Sequence, residues 1–513
     1  MKSNQEKRKN SVVIGLDCST TGTKAIAFKR KGRIIAYAYE AIPLFSPKPH
    51  YYEQDPDDWC ISTQKVLRKI VGQINPKNIK ALAVSNQRET FVTLKKNGDC
   101  LRPAIIWLDE RCKDEVEPFA RKIGKNKIHS ITGKPPDYAP VVYRLAWMKK
   151  HEPELFKKIG MICDVHAYIV WKLTRSFKTS WASADPLGLF DLRNKRWSSR
   201  ILNALNLKEN QFPETYRPGT ILGKVTNEAS ELTGLNTNTL IATGAGDGQT
   251  AGTGSNALTP KRAYLNLGTA VVAGVYGKRY RISKAFRTMG SCSESGYYYE
   301  CSLRAGTFAI DWLIKKILKI DLRQEFDIYR RLENEARHIA AGCDGLLHLP
   351  YLCGVMNPYW DINARGAFTG LSASHNRGHM YRSILEGIAF EQLFAIEAVE
   401  KSIGKRIKEF VVIGGGSAIN LWCQILADVT NKNICIPQNT EASSLGAAIA
   451  AAVSIGWYRT FKDAANKMTG TKKTIKPNKN NHKIYKQLFI AYKNIYPGLR
   501  ILDSPLFNIR KPV

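Results

Sequence analysis

Apolar residues at 12–16 and 25–28 flank a polar, hydroxyl-rich turn, and this strand–turn–strand pattern predicts a β-hairpin over residues 12–28. A third strand is expected near 32–40. A helix is expected over 57–74, with Asp55-Pro56 at its entry. The continuous apolar run at 79–85 reads as a buried strand, and 90–94 and 104–107 as strands around the turn Lys96-Asn97-Gly98. Helical segments are expected to fill much of 113–173, and a strand at 240–244 runs into Gly246-Asp247-Gly248.

The second half restarts this scheme. Strands at 263–267 and 271–275 flank Gly268-Thr269, and a strand at 410–413 leads through Gly414-Gly415-Gly416 into a helix over 420–431. A core helix over 443–454 is rich in Ala and Gly, residues small enough to let backbones approach. Tyr485, Phe489, Tyr492 and Tyr496 recur at near-helical spacing, predicting a closing amphipathic helix with a basic outer face. Two α/β units opening on similar hairpins imply two lobes facing one cleft, the usual setting for a ligand site. The expected boundary lies near 253–260, giving domains 1–254 and 255–513.

Composition narrows the class. A chain of 513 residues, 44% hydrophobic, can bury two or three sizeable cores. Residues 1–10 are polar and charged, expected to be a frayed tail. The apolar run behind them is short and broken by Asp17, so neither a signal peptide nor a membrane span is expected. Eleven cysteines without a CxxC pair read as reduced, mostly buried thiols of a cytoplasmic protein. The net charge of +33 invites a nucleic-acid reading, but residues 225–260 contain no Lys or Arg. The basic excess gathers in 471–513, where a solvated helix face accounts for it.

Candidate chemistry lies in three glycine- or hydroxyl-rich turns: Asp17 to Lys24, Gly268-Thr269 and Gly414 to Gly416. Backbone N–H groups and hydroxyls in such turns cradle phosphate oxygens, and an Asp at a strand end can hold hydrated Mg²⁺. Each turn alone is also explained by ordinary turn chemistry or strand–helix packing. A dinucleotide site fits the third poorly, because Gly-Gly-Gly-Ser-Ala lacks GxGxxG, and no GxxxxGK[ST] is present.

Over residues 11 to 500 the chain resembles the FGGY carbohydrate kinases, a branch of the sugar kinase/Hsp70/actin superfamily. GLDCSTTGTKA, YYEQDPDDW, SNQRETF, AIIWLDERC, TGAGDGQTAGTGS, LNLGTAVV, VVIGGGSAINLWCQILADV and EASSLGAAIAAA carry the resemblance. It implies an α/β fold of two RNase H-like lobes around a central cleft, and ATP- and Mg²⁺-dependent phosphorylation of a sugar or polyol hydroxyl. Carried over residue by residue, it makes Asp247 the general base and Asp17 the metal-associated carboxylate. Ser19, Thr20, Thr21 and Lys24 fall in the first phosphate hairpin, and Gly268 and Thr269 in the second. Gly415, Gly416 and Asn420 fall on the adenosine side. Arg88, Glu89, Trp107, Asp109, Asp247 and Gln249 are the expected acceptor contacts.

The resemblance divides at the acceptor. Asn86 to Thr90 is similar to the glycerol kinase branch, whereas the second lobe is similar to the xylulokinases. Ala139 stands where glycerol kinases carry a substrate-binding Tyr. Gly248 stands where relatives carry Gln or Asn, and both changes suggest a roomier pocket. Glu300-Cys301-Ser302 replaces a Gly-containing turn. The leading expectation is a xylulokinase-like enzyme acting on a ketopentose or related polyol, with glycerol kinase as the alternative. A nucleotide- or nucleic-acid-binding protein on the same fold is the non-enzymatic rival. The expected partner is a small sugar or polyol, with no membrane, nucleic acid disfavoured and a homodimer left open.

Overall fold

The computed structural model describes residues 10–509 apart from 322, 324 and 326, with side chains described as far as 501. Two sheets carry the fold. The first has six strands in the order Ile221–Lys224, Leu240–Gly246, Ile79–Asn86, Val12–Cys18, Gly22–Phe28 and Ile34–Ala41. Its first three strands in sequence form an antiparallel meander, and Val12–Cys18, Ile79–Asn86 and Leu240–Gly246 run parallel.

The second sheet repeats the scheme. Arg262–Leu267, Val271–Gly277 and Tyr297–Leu303 form the meander. Glu409–Ile413 and Asn433–Pro437 then add in parallel, and Thr471–Ile475 closes one edge antiparallel. Arg287–Gly290 extends the other edge to make seven strands. The echo expected between the halves is therefore a shared strand order, which is the two-lobed α/β architecture.

Strand alternation explains how the first sheet is covered on both sides. Val12, Ile14 and Leu16 pack with Trp59, Leu67, Ile70 and Tyr168 on one face. Val13, Ile26, Ala81, Ala83 and Ala242 pack on the other face with Leu445, Ala448, Ile449 and Phe461. Burying one such Leu or Ile contributes about 2 kcal/mol. The second face is thus covered by the helix Ala442–Ser454, late in the chain.

Element boundaries differ from expectation for local reasons. The helix Pro56–Val71 starts where Asp55 accepts a hydrogen bond from the Asp57 N–H and Pro56 pre-sets the first turn. It stops at Gly72 rather than 74, because Asn75-Pro76 disfavours helix ahead of it. Within 113–173 a strand, Met161–Asp164, interrupts the helices by pairing with Phe91–Leu94. Glu300 lies inside the strand Tyr297–Leu303, not in a turn. The last helix, Lys479–Ile509, buries Tyr485, Phe489, Tyr492 and Tyr496 and exposes Lys483, Lys486, Lys493 and Arg500. Of the expectations at the ends, residues 1–9 and Arg510 and Lys511 fall outside the described residues.

Candidate active site

The parallel strands of the first sheet end together at Cys18, Asn86 and Gly246, the edge at which open α/β sheets bind ligands. Register sets Asp17 beside Lys24 on one neighbour and Ser85 on the other. Ser85 Oγ donates to Asp17 Oδ1 over 2.7 Å and meets Thr250 Oγ1 at 2.9 Å. Burial raises Asp17 to about 6 against the opposing Ser85 hydrogen bond, and the charge of Asp247 adds to the rise. Lys24 Nζ bonds Glu441 Oε2 at 2.8 Å. Burial alone would lower this ammonium, but the Glu441 carboxylate outweighs it and raises the pKa.

The hairpin tip is tied to the first lobe's loops. Ser19 Oγ donates to Gly22 O over 2.8 Å, and the Thr21 carbonyl accepts from the Tyr39 hydroxyl. Thr20 Oγ1 donates to Gln87 Oε1 and accepts from Trp107 Nε1 at 2.8 Å. Trp107 leaves its ring partly exposed beside this tip.

Asp247 opens the helix Asp247–Gly254, and its Oδ1 accepts from the Gly248 N–H at 2.7 Å. Its side chain is 41% exposed, so the carboxylate reaches the cleft. Arg88 Nε lies 3.0 Å from the same oxygen. Arg88 Nη1 in turn pairs with Glu300 Oε2 at 2.7 Å, and Glu300 Oε1 accepts from Arg287 Nε at 2.7 Å. Arg287 Nη1 reaches back to Glu89 Oε1 at 2.7 Å. Burial pushes the Glu300 carboxyl up, but the two guanidinium groups outweigh it and hold it at about 2.

Across the cleft, the Thr269 and Gly268 carbonyls accept from the Gly306 and Thr307 N–H groups. Gly414 takes a φ of 82°, a left-handed conformation suited to glycine. Gly415 is exposed, and a Cβ there would meet nothing within 4 Å. Gly416 is buried against Trp422, and Asn420 Oδ1 accepts from Lys473 Nζ at 3.4 Å.

The structure brings Arg88, Glu89 and Asp247 together and sets Asp17 and Lys24 beside them. It commits two other expected contacts elsewhere. Asp109 is fully buried, its carboxylate accepting from Tyr52 N–H at 2.7 Å and from Arg111 Nε and Nη2 at 2.8 Å. Gln249 is buried too, its Nε2 donating to Ala182 O at 2.8 Å. The volume given up at Gly248 is not free space: a Cβ there would lie 3.0 Å from Arg88 Cζ, so the guanidinium fills it.

Arg287 and Arg144 are absent from the sequence reading, and Glu300 entered it only as a departure from the family pattern, with no role. Glu300 and Arg287 come from the second lobe. Arg144 is fully buried and donates to backbone carbonyls: Glu89 O at 2.5 Å, Ala139 O at 2.8 Å and Trp107 O at 3.2 Å. It binds together the three segments that carry Glu89, Trp107 and Ala139. Its signal, an Arg amid the apolar helix Val141–His151, is indistinct without contacts.

Strand-end carboxylates in one lobe, glycine turns in the other and a shared strand order define an actin-like ATPase fold arranged for phosphoryl transfer. The profile of the FGGY carbohydrate kinase N-terminal domain matches residues 12–254, and that of the C-terminal domain matches 249–455. The chain belongs to the FGGY family of carbohydrate kinases, enzymes that use ATP. It is 28% identical over 505 residues to the xylulose kinase of Bacillus subtilis strain 168, covering 97% of this chain and 99% of that one. Among solved structures, gluconate kinase from Lactobacillus acidophilus superposes with a TM-score of 0.90 at 25% identity, covering 95% and 98% of the two chains. Xylulose kinase from Rhodospirillum rubrum superposes at 0.88 with 27% identity, covering 96% and 100%.

Proposed function

We propose that the chain phosphorylates a hydroxyl of a ketopentose, in the manner of a xylulokinase. The observation that carries this is Asp247: a cleft-facing carboxylate at a strand end, held by its own helix terminus and by Arg88. As general base it accepts the proton of the attacking sugar hydroxyl while the γ-phosphoryl group transfers. Arg88 and Glu89 orient the acceptor's hydroxyls, and Trp107 covers an apolar sugar face. Asp109 and Arg144 shape that wall through the loops they bind.

Ser19, Thr20, Thr21 and Lys24 face the phosphates from one lobe, and Gly268 and Thr269 from the other. Gly415, Gly416 and Asn420 receive the adenosine. Asp17 fits Mg²⁺: it is a buried carboxylate whose neighbours Asp247 and Glu441 both disfavour its ionised form, a penalty a cation removes. Mg²⁺ usually takes one or two carboxylates together with substrate phosphates and water, and it would neutralise charge on the nucleotide. On this reading the sugar and metal side lies before residue 255 and the nucleotide side after it. Reduced cysteines, nine of the eleven buried, suit a cytoplasmic enzyme.

A ketopentose is favoured over glycerol by near full-length similarity to xylulose kinases at 27–28% identity. ADP release is to be measured with D-xylulose, D-ribulose, gluconate and glycerol; glycerol as the best acceptor would overturn the reading. In Asp247→Asn, kcat on the best acceptor is expected to fall about 10²–10⁴-fold, the usual worth of a general base. Turnover at the wild-type rate would remove Asp247 from that role.

A further inference from the structure

One row of side chains carries the second lobe's sheet to Arg88 and Glu89. In its sheet, Tyr264 stands opposite Gly274, Gly274 opposite Glu300, and Glu300 opposite Arg287. The glycine in this row is required. A Cβ at 274 would lie 2.1 Å from the Tyr264 ring, and its absence lets the ring lean across the strand. Tyr264 Oη then donates to Glu300 Oε2 at 2.9 Å. The sheet therefore builds a fixed carboxylate at 300, with a phenol on one side and a guanidinium on the other.

This row meets the first lobe at two points, Glu300 with Arg88 and Arg287 with Glu89, each at 2.7 Å. Arg88 and Glu89 are adjacent in sequence, so the four side chains close a ring of alternating charge. None of the four residues is more than 9% exposed. Glu89 holds its place with a φ of 49°, a left-handed backbone that a bulky residue seldom adopts. Buried ion pairs cost desolvation that their attraction only partly returns, so stability alone is a weak reason for four of them.

The ring also decides which atoms remain for a substrate. Arg88 commits Nε to Asp247 and Nη1 to Glu300, and Glu89 commits Oε1 to Arg287. We propose that Glu300 and Arg287 are positioning residues of the acceptor site: from the nucleotide lobe, they fix the orientation of Arg88 and Glu89, and through Arg88 that of Asp247. This deepens the kinase reading and rests on it. Gly248 is part of the device, because only a residue without a side chain lets the Arg88 guanidinium lie where both carboxylates reach it.

The test is steady-state kinetics of the full chain with D-xylulose and ATP, varied separately. Glu300→Gln keeps the shape but removes the charge. We expect kcat/KM for D-xylulose to fall at least about tenfold, the scale of losing a buried charged partner, while KM for ATP stays within about twofold. Arg287→Lys keeps the charge but cannot fork between Glu89 and Glu300, and should show the same selective loss in smaller degree. A purely structural staple would instead lower both substrates' parameters together, or neither; either result overturns the proposal. If Glu300→Gln does not fold, Arg287→Lys and Tyr264→Phe carry the same comparison.

Thermal unfolding supplies a readout without turnover. Glu300→Gln and Arg287→Gln together should lower Tm by less than the sum of the single changes, because the double variant leaves no charge of this pair unmatched. Simple additivity would remove the ring. Should the wild-type chain turn over no sugar, the kinase reading fails, while this coupling still judges the ring.

Discussion

Gly248 shows how one absent side chain shapes a site. The Arg88 guanidinium occupies the space that Asn or Gln would need, 3.0 Å from where a Cβ would stand. Gly248→Asn should therefore displace Arg88 from Asp247 and Glu300 and lower kcat about tenfold or more with the protein still folded, checked by steady-state kinetics alongside circular dichroism. Wild-type kcat would mean that Arg88 has another resting place. The sequence offers Asp247, Arg88 and Glu89 readily, because each sits in a contiguous motif. It hides Glu300 and Arg287, whose partners lie 212 and 198 positions away. It also cannot tell that Asp109 is spent on Arg111, two residues on, since an acid and a cation that close read equally well as open neighbours.

Among elements, the hydrophobic pattern recovers the two hairpins and the buried parallel strands as short apolar runs, because both faces are covered, and the last helix as an aromatic stripe, because one face is. It misses Met161–Asp164, whose four residues are too few to show a period between helices. The last helix also covers a titrating group, Glu391 on the helix Arg377–Ile403. Tyr492 of the last helix and the loop residue Tyr351 donate to Glu391 Oε1 at 2.8 and 2.9 Å, yet burial dominates and lifts that carboxyl to about 7. A carboxyl whose folded pKa exceeds its unfolded one binds more protons when folded, so its contribution is full below about 4.5 and is lost as pH rises through 7. The loss amounts to about 3 kcal/mol at most. Glu391→Gln should flatten the fall of Tm between pH 5 and pH 8. An unchanged slope would assign the fall to Asp17 and Asp164, each also raised to about 6 by burial.

At the scale of the molecule, the two lobes are held by more than a cleft. The helix Ala442–Ser454 lies so closely against the helix Asp247–Gly254 that a Cβ on Gly446 would stand 1.9 Å from Thr250 O, and so closely against the first sheet that one on Gly15 would stand 1.8 Å from Ser444 O. Backbone meets backbone here, and no rotamer change can relieve an added group. Gly446→Val should cost about 3 kcal/mol, the upper range of core overpacking. Because the helix covers the first lobe while following the second lobe's strands, a single shared drop in Tm is expected by calorimetry. Two separate transitions, only one of them shifted, would show that the lobes unfold independently. The two-lobe plan was legible from repeated strand–turn–strand patterns. The interlock was not, because an Ala-rich helix declares that it packs tightly without saying against what.

That interlock sets a schedule for synthesis. The apolar face formed by Val13, Ile26, Ala81 and Ala242 is complete within the first half of the chain, but its cover begins at Ala442. A ribosome adding about 5–20 residues per second needs roughly 10–40 s to travel from one to the other. Through that interval the nascent first lobe lacks the helix that packs across this face, and any pause or premature stop before residue 442 leaves the face without it. For this chain, the speed and completeness of translation therefore set how long that apolar face waits for its covering helix.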